Sequence, residues 1–300
     1  MVTLTGTTRT LTITKSPTFI IPLKFFNKSG FVTFRNGSKF RLTWSQFLML
    51  RDTYQYWSKY TFEQIDTGLF KLRQGKFEFT GNLNLICSIV ELTEKHHCAV
   101  EPKNNEVFSL SGESFNLVGS SEMIFVFKEL LSGIYDCDCR GKTVLDIGGF
   151  EGETAVYFSS RGAKKIILYE PIPVHFETAK QNIERNGINA ELHNEGIADA
   201  DGTITIEFLS SKNTCAVKNV SSVLLESGAD IVKIDCEGAE ESLINVSNKI
   251  LQSISLYMIE LHSESIREKI LAKFTDADFI LSKDCKWSKD FSVVHLHRQS

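Results

Sequence analysis

The chain has 300 residues, 42% of them hydrophobic and 23% charged, with 19 glycines, a globular composition that argues against disorder and allows one large domain or two ordinary ones. The 33 basic and 37 acidic residues leave a net charge of -4, so no global positive field exists to gather a polyanion, and nucleic acid is not an expected partner. The longest stretch free of Asp, Glu, Lys and Arg is the twelve residues 79–90, short of the roughly 20 that span a bilayer; the start also lacks the basic, apolar, small order of a secretory signal, and a cytoplasmic protein without a membrane span is expected.

The first forty residues read as short strands. Runs at 11–14, 19–23 and 31–34 are β-branched or aromatic, and Asn27 to Gly30 and Asn36-Gly37 separate them as turns. From Thr43, a candidate N-cap, Trp44, Phe47, Leu48, Tyr54 and Trp57 recur at helical intervals as a core stripe. Residues 61–115 suggest short strands at 76–79 and 83–90 and a polar loop at 101–106. The seven cysteines form an odd set without a Cys-x-x-Cys pair, which fits reduced thiols. His96-His97-Cys98 and Cys137-Asp-Cys139 offer soft metal ligands only if the fold joins them, and neither has zinc-knuckle spacing.

Beyond residue 116 the pattern becomes regular. A helix at 122–131 leads to a strand at 143–147, a glycine-rich turn, a helix at 154–160 and a strand at 165–170. A helix at 174–186, short strands near 190–193 and 203–208, a strand at 231–235, a helix from about Ala239, a strand at 254–261 and a helix at 264–274 follow. Such alternation implies parallel βαβ units. The tail breaks the rule, because runs at 279–282 and 291–296 have no helix between them and must form an antiparallel hairpin at one sheet edge. The expected architecture is an α/β Rossmann-like methyltransferase fold over 116–300, a mostly parallel seven-stranded sheet ending in that hairpin. A smaller β-rich α+β domain over 1–115 precedes it.

Three motifs carry chemistry. In Val144-Leu-Asp146-Ile-Gly148-Gly149-Phe150-Glu-Gly152 a buried strand ends in an acid, glycines let the backbone turn closely around a ligand, and a helix N-terminus follows. The dinucleotide pattern Gly-x-Gly-x-x-Gly fails at Phe150, whereas Asp146-x-Gly148-x-x-x-Gly152 matches the first motif of S-adenosylmethionine enzymes. Glu170, 24 residues after Asp146, ends the next strand and has two acceptor oxygens for the hydroxyls of a ribose. Lys233-Ile-Asp235-Cys-Glu237-Gly238-Ala-Glu240 and Glu260-Leu-His262 end the next two strands, and alternation puts Asp235 with Glu237, and Glu260 with His262, on shared faces at one rim. Glu237 and Glu240 also suit a helix N-terminus through its dipole. An adenine pocket is expected after the third strand, with Ile197 as an apolar wall and Asp199 as acceptor for the exocyclic amine; Asp199 equally suits a turn cap.

These segments, with Tyr169-Glu170-Pro171, resemble the FkbM family of S-adenosylmethionine-dependent methyltransferases over roughly 116–300. The resemblance implies O-methylation of a hydroxyl, often on a sugar or other secreted-polymer precursor or on a polyketide. Gly149 stands where the family commonly has Ala, and Cys236 where it commonly has Ile or Val.

Methyl transfer from a sulfonium chiefly needs nucleophile and methyl at near-attack distance, and a sugar hydroxyl also needs a base. His262 or Glu237 is the expected base, with Asp235 orienting the acceptor. Alternatively Asp235, Glu237, Glu260 and His262 hold a divalent cation that lowers the hydroxyl pKa. Two other readings stand beside this one: a nicotinamide-dependent sugar-modifying enzyme, and a non-catalytic cofactor-binding scaffold. The partners expected are a small-molecule or glycan acceptor and a second copy of the chain, with the N-terminal domain serving substrate binding or dimerisation.

Overall fold

The computed structural model describes residues 3–5, 30–33, 39–66, 68–104, 106–208, 211–286, 288 and 290–299. It divides into two compact units, Met1–Glu106 and Val107–Ser300. The strands expected at 11–14 and 19–23, and the Asn36-Gly37 turn, lie outside the described residues.

In the first unit, β1 (Thr3–Thr5), β2 (Gly30–Thr33) and β3 (Lys39–Leu42) form an antiparallel sheet. Helix α1 (Trp44–Thr53) opens with reciprocal bonds, Gln46 N to Thr43 Oγ1 (3.3 Å) and Thr43 N to Gln46 Oε1 (2.8 Å), the capping box available to Thr43. A 3-10 turn (Tyr54–Lys59) follows. Phe47 is buried; the side chains of Trp44, Tyr54 and Trp57 lie outside the described residues. Strands β4 (Thr61–Asp66), β5 (Leu69–Gln74) and β6 (Phe77–Asn82) make a second antiparallel sheet, on which Phe62 stacks with Phe70 at 5.1 Å. Helix α2 (Leu83–Glu94) corrects the strand expected at 83–90. Asn82 caps it by accepting from Leu85 N (2.9 Å), and eight of its residues are buried, so its near-continuous apolar run imitates a buried strand. Strand β7 (Ala99–Pro102) comes next.

The second unit begins with the hairpin β8 (Phe108–Ser111) and β9 (Asn116–Gly119), tied to α5 (Pro173–Arg185) by Asn182 and Asn186, which bond the backbone of Val118 and Asn116. Then come α3 (Ser121–Leu131), β10 (Thr143–Ile147), α4 (Glu153–Ser160), β11 (Lys165–Tyr169), α5 and β12 (Ala190–His193). A small sheet of β13 (Gly196–Ala198), β14 (Gly202–Phe208) and β15 (Ser211–Asn219) precedes α6 (Val220–Ser227). The chain continues through β16 (Ile231–Ile234), a 3-10 helix (Ala239–Asn245), α7 (Asn248–Leu251), β17 (Leu256–Leu261), α8 (Glu264–Asp276), β18 (Phe279–Lys286) and β19 (Ser292–Arg298). The segment from Ala239 is thus a tight 3-10 turn rather than the expected α-helix.

The central sheet has the order β12-β11-β10-β16-β17-β19-β18, parallel from β12 to β17 and antiparallel at β19 and β18. This is the Rossmann-like methyltransferase fold. Alternation gives the sheet two unlike faces. Leu145, Ile147, Ile167, Val232, Ile234, Tyr257 and Ile259 face an apolar core completed by α6, α7 and α8. Asp146, Lys233 and Glu260 fall on the opposite face, near the carboxyl ends of their strands. Strand order reverses between β11 and β16, on either side of β10, which opens the crevice where such sheets bind ligands.

Candidate active site

The glycine turn after β10 is shaped by contact. Gly148 has φ +80°, and a Cβ there would lie 1.7 Å from the backbone oxygen of Asp235, so no other residue fits. Lys233, almost fully buried, donates to Gly148 O (2.6 Å) and sits 3.3 Å from Asp146 and 3.7 Å from Asp235. Burial opposes its charge, but Asp146, Asp235, Glu153 and Glu260 raise its pKa on balance. Asp146 is fully buried and takes a hydrogen bond from the Thr154 hydroxyl. It therefore lies beneath the turn and braces it through Lys233 instead of opening onto the crevice. Gly149 packs where a Cβ would strike Leu168, and Gly152 (φ +86°) is the N-cap of α4.

Glu170, also buried, closes the turn from the side: one oxygen accepts from Phe150 N (3.0 Å), the other from Ile172 N (2.8 Å). A third neighbour, His175, stands 3.8 Å away and edge-on to Phe150. Ile197 is buried in β13, whereas Asp199 is exposed and accepts from Asn245 Nδ2 (3.0 Å). A cavity of about 550 Å³ opens beside Ile197, Asp199, Ala239 and Asn245, and a narrow cleft of about 50 Å³ runs on to Gly148 and Pro171.

The tips of β16 and β17 bring together the four rim residues. His262 Nε2 lies 3.7 Å from Asp235, 3.6 Å from Glu237 and 4.0 Å from Glu260. Its other nitrogen, Nδ1, is hydrogen-bonded to Glu240 (3.0 Å), a fully buried carboxylate that also accepts from Gly238 N (2.7 Å). Burial lowers the imidazole pKa, but the Glu240 bond and the charges of Glu240, Glu237 and Asp235 prevail and push it up to about 9. Glu260 goes up to about 7 through burial and the charge of Asp235, opposed by the Tyr135 hydroxyl, which donates to it (3.0 Å), and by His262 and Lys233. Glu237 is held at φ +52° with its side chain 86% exposed.

Asp235, Glu260 and His262 offer ligand atoms within 4.8 Å of one another, the one such group among the described residues. The two cysteine-bearing clusters do not form another. Cys98 and Cys139 are buried thiols, and His295 bonds Ile134 O (2.6 Å) as a structural residue. Sequence reasoning missed Glu240 as the partner of His262, along with Lys233 and Tyr135. Glu240 had a visible signal, four residues from Cys236 behind a glycine; Tyr135 had none, being 125 residues from Glu260.

No family model matches the chain. Over 170 residues it is 24% identical to the hexuronic acid methyltransferase AglP of Haloferax volcanii, a match spanning 52% of this chain and 70% of that protein. Similar solved structures include SMU.776, assigned as a methyltransferase and complexed with SAH (10% identity, TM-score 0.49, 89% of this chain and 87% of that one). Another is fibrillarin of Aeropyrum pernix with natively bound S-adenosyl-L-methionine (11% identity, TM-score 0.38, 79% and 97%). The fold is read from its own strand order, and no helix among the described residues is long and apolar enough to cross a membrane.

Proposed function

We propose that the chain is an S-adenosylmethionine-dependent O-methyltransferase acting on a hydroxyl of a sugar or glycan precursor, in keeping with the FkbM resemblance and the similarity to a hexuronic acid methyltransferase. The observation that carries this reading is the convergence of Asp235, Glu237, Glu260 and His262 from two neighbouring strand tips, beside a glycine turn that admits no side chain. Gly148, Gly149 and Gly152 present bare backbone to the cofactor, and each oxygen of Glu170 keeps an acceptor position for a ribose hydroxyl. Ile197 and Asp199 serve the adenine. When bound, the cofactor supplies a methyl group on a positively charged sulfonium.

His262 is the base: it takes the acceptor proton at Nε2 while Glu240 holds Nδ1, the nucleophile–base–orienter geometry of general-base sites. Glu237, with its side chain 86% exposed, is the weaker choice of base, and Asp235 orients the hydroxyl. The carboxylates around His262 favour its protonated form, and a cation nearby disfavours that form and shifts the ring toward the free base. The first unit then serves acceptor binding or pairing of two chains.

A second reading places a divalent cation on Asp235, Glu260 and His262, favoured by their spacing and by the partners that hold two of them, Glu240 on His262 and Tyr135 on Glu260. The deciding experiment is calorimetric titration with S-adenosylhomocysteine, followed by methyl transfer to a panel of sugars including hexuronic acids, with magnesium or EDTA. Binding and transfer are expected. A chain that binds nothing at millimolar ligand, or that binds a nicotinamide cofactor instead, overturns the methyltransferase reading; binding without transfer to any acceptor leaves the scaffold. Loss of turnover in EDTA, restored by magnesium, selects the cation.

A further inference from the structure

Strand β14 alternates Thr203, Thr205 and Glu207 on one face with Ile204 and Ile206 on the other. Its backbone pairs with β15, and Ile204 stays 38% exposed, so the apolar face is not absorbed into the core. Instead Ile204 and Ile206 line the narrow cleft with Gly148, Pro171 and Ile197, and Ile204 continues into the larger cavity beside Asp199 and Asn245. Two aliphatic side chains thus stand across a cleft that starts at the glycine turn and widens at the predicted acceptor for an exocyclic amine.

We propose that Ile204 and Ile206 are cofactor-binding residues, forming the outer wall of a slot in which the adenine ring of S-adenosylmethionine lies, with Ile197 as its inner wall. The inference rests on the methyltransferase reading and deepens it. A flat ring with two apolar faces and a polar edge matches a slot with aliphatic walls and a polar end. There, Asn245 holds one oxygen of Asp199 and the carboxylate keeps the other for the amine. The acceptor does not compete for the slot, because Glu260 falls on the opposite face of the sheet from Ile147, which lines the cleft.

Calorimetric titration of the full chain with S-adenosylhomocysteine tests this. Ile204→Ala and Ile206→Ala are each expected to weaken binding about tenfold or more, the scale of methylene losses in an apolar pocket. Ile280→Ala, on the edge strand β18 of the central sheet and 48% exposed, should bind as the wild type does. Should Ile206→Ala fail to fold, Ile204→Ala decides, since its half-exposed side chain contributes little to the core. Wild-type binding with undiminished affinity in the variants overturns the wall alone. No wild-type binding overturns the methyltransferase reading and the wall with it.

Discussion

His262 Nδ1 lies 3.0 Å from Oε1 of Glu240, a carboxylate with no solvent exposure whose other oxygen is taken by Gly238 N. This buried acid thereby orients the rim imidazole and, with the charges of Glu237 and Asp235, raises its proton affinity. Replacing it by an amide removes the charge and keeps the shape. In Glu240→Gln the His262 titration, followed by NMR of the ring protons, is expected to move down from about 9 toward the ordinary 6.5. A midpoint that stays in place refutes the dependence. Turnover should fall by about a hundredfold or more, as when a triad acid loses its charge.

The same pair makes stability depend on pH. A histidine with a raised folded pKa contributes stability that is fully present below its unfolded value of 6.5 and lost as pH rises through about 9. Urea denaturation of the wild type and His262→Gln should therefore differ most at pH 6 and converge by on the order of 2 kcal/mol toward pH 10. A difference constant over that range rules the linkage out.

Glu153 gives stability a pH dependence of the same sign, by a different cause. It is fully buried in the first turn of α4, neither oxygen has a partner in another residue, and burial pushes its carboxyl well above the usual range. Above about pH 4.3 the unfolded chain ionises while the folded chain holds its proton, so stability falls as pH rises. Glu153→Gln should raise the wild-type stability at pH 7, and the gain should vanish near pH 4. Destabilisation at pH 7 would show that the charge is used.

Gly148→Ala confronts a carbonyl oxygen at 1.7 Å and a φ of +80° together. Gly187, at φ +62° with nothing within 4 Å, meets only the second problem. Thermal unfolding should show a loss of about 1 kcal/mol for Gly187→Ala, and a several-fold larger loss, or no folded protein, for Gly148→Ala. Equal losses would mean that β10 and β16 separate readily at their tips.

Much of the second unit was legible because its signals are local. The periods of α3, α5 and α8, the apolar strands β10, β11 and β16, and the helix-free tail that becomes β18 and β19 each follow from hydrophobic spacing within a few residues. Helix α2 resembles a strand over 83–90 because its apolar residues form a near-continuous run there, while its acidic residues gather at 91–94, and a short apolar run does not by itself separate strand from helix.

The sequence by itself determined which residue types stand at the strand tips: glycines after β10, an acid after β11, and the Asp-x-Glu and Glu-x-His pairs of β16 and β17. It did so because strand alternation and turn chemistry are properties of neighbouring residues. Only the tertiary structure decided how those residues share their work. It sank Asp146 beneath the turn with Lys233, gave His262 to Glu240, brought Tyr135 to Glu260 across the sheet, and turned the apolar face of β14 toward the cleft. These are long-range matters of burial and pairing, where desolvation selects which carboxylate is charged, which is neutral and which is left facing the ligand.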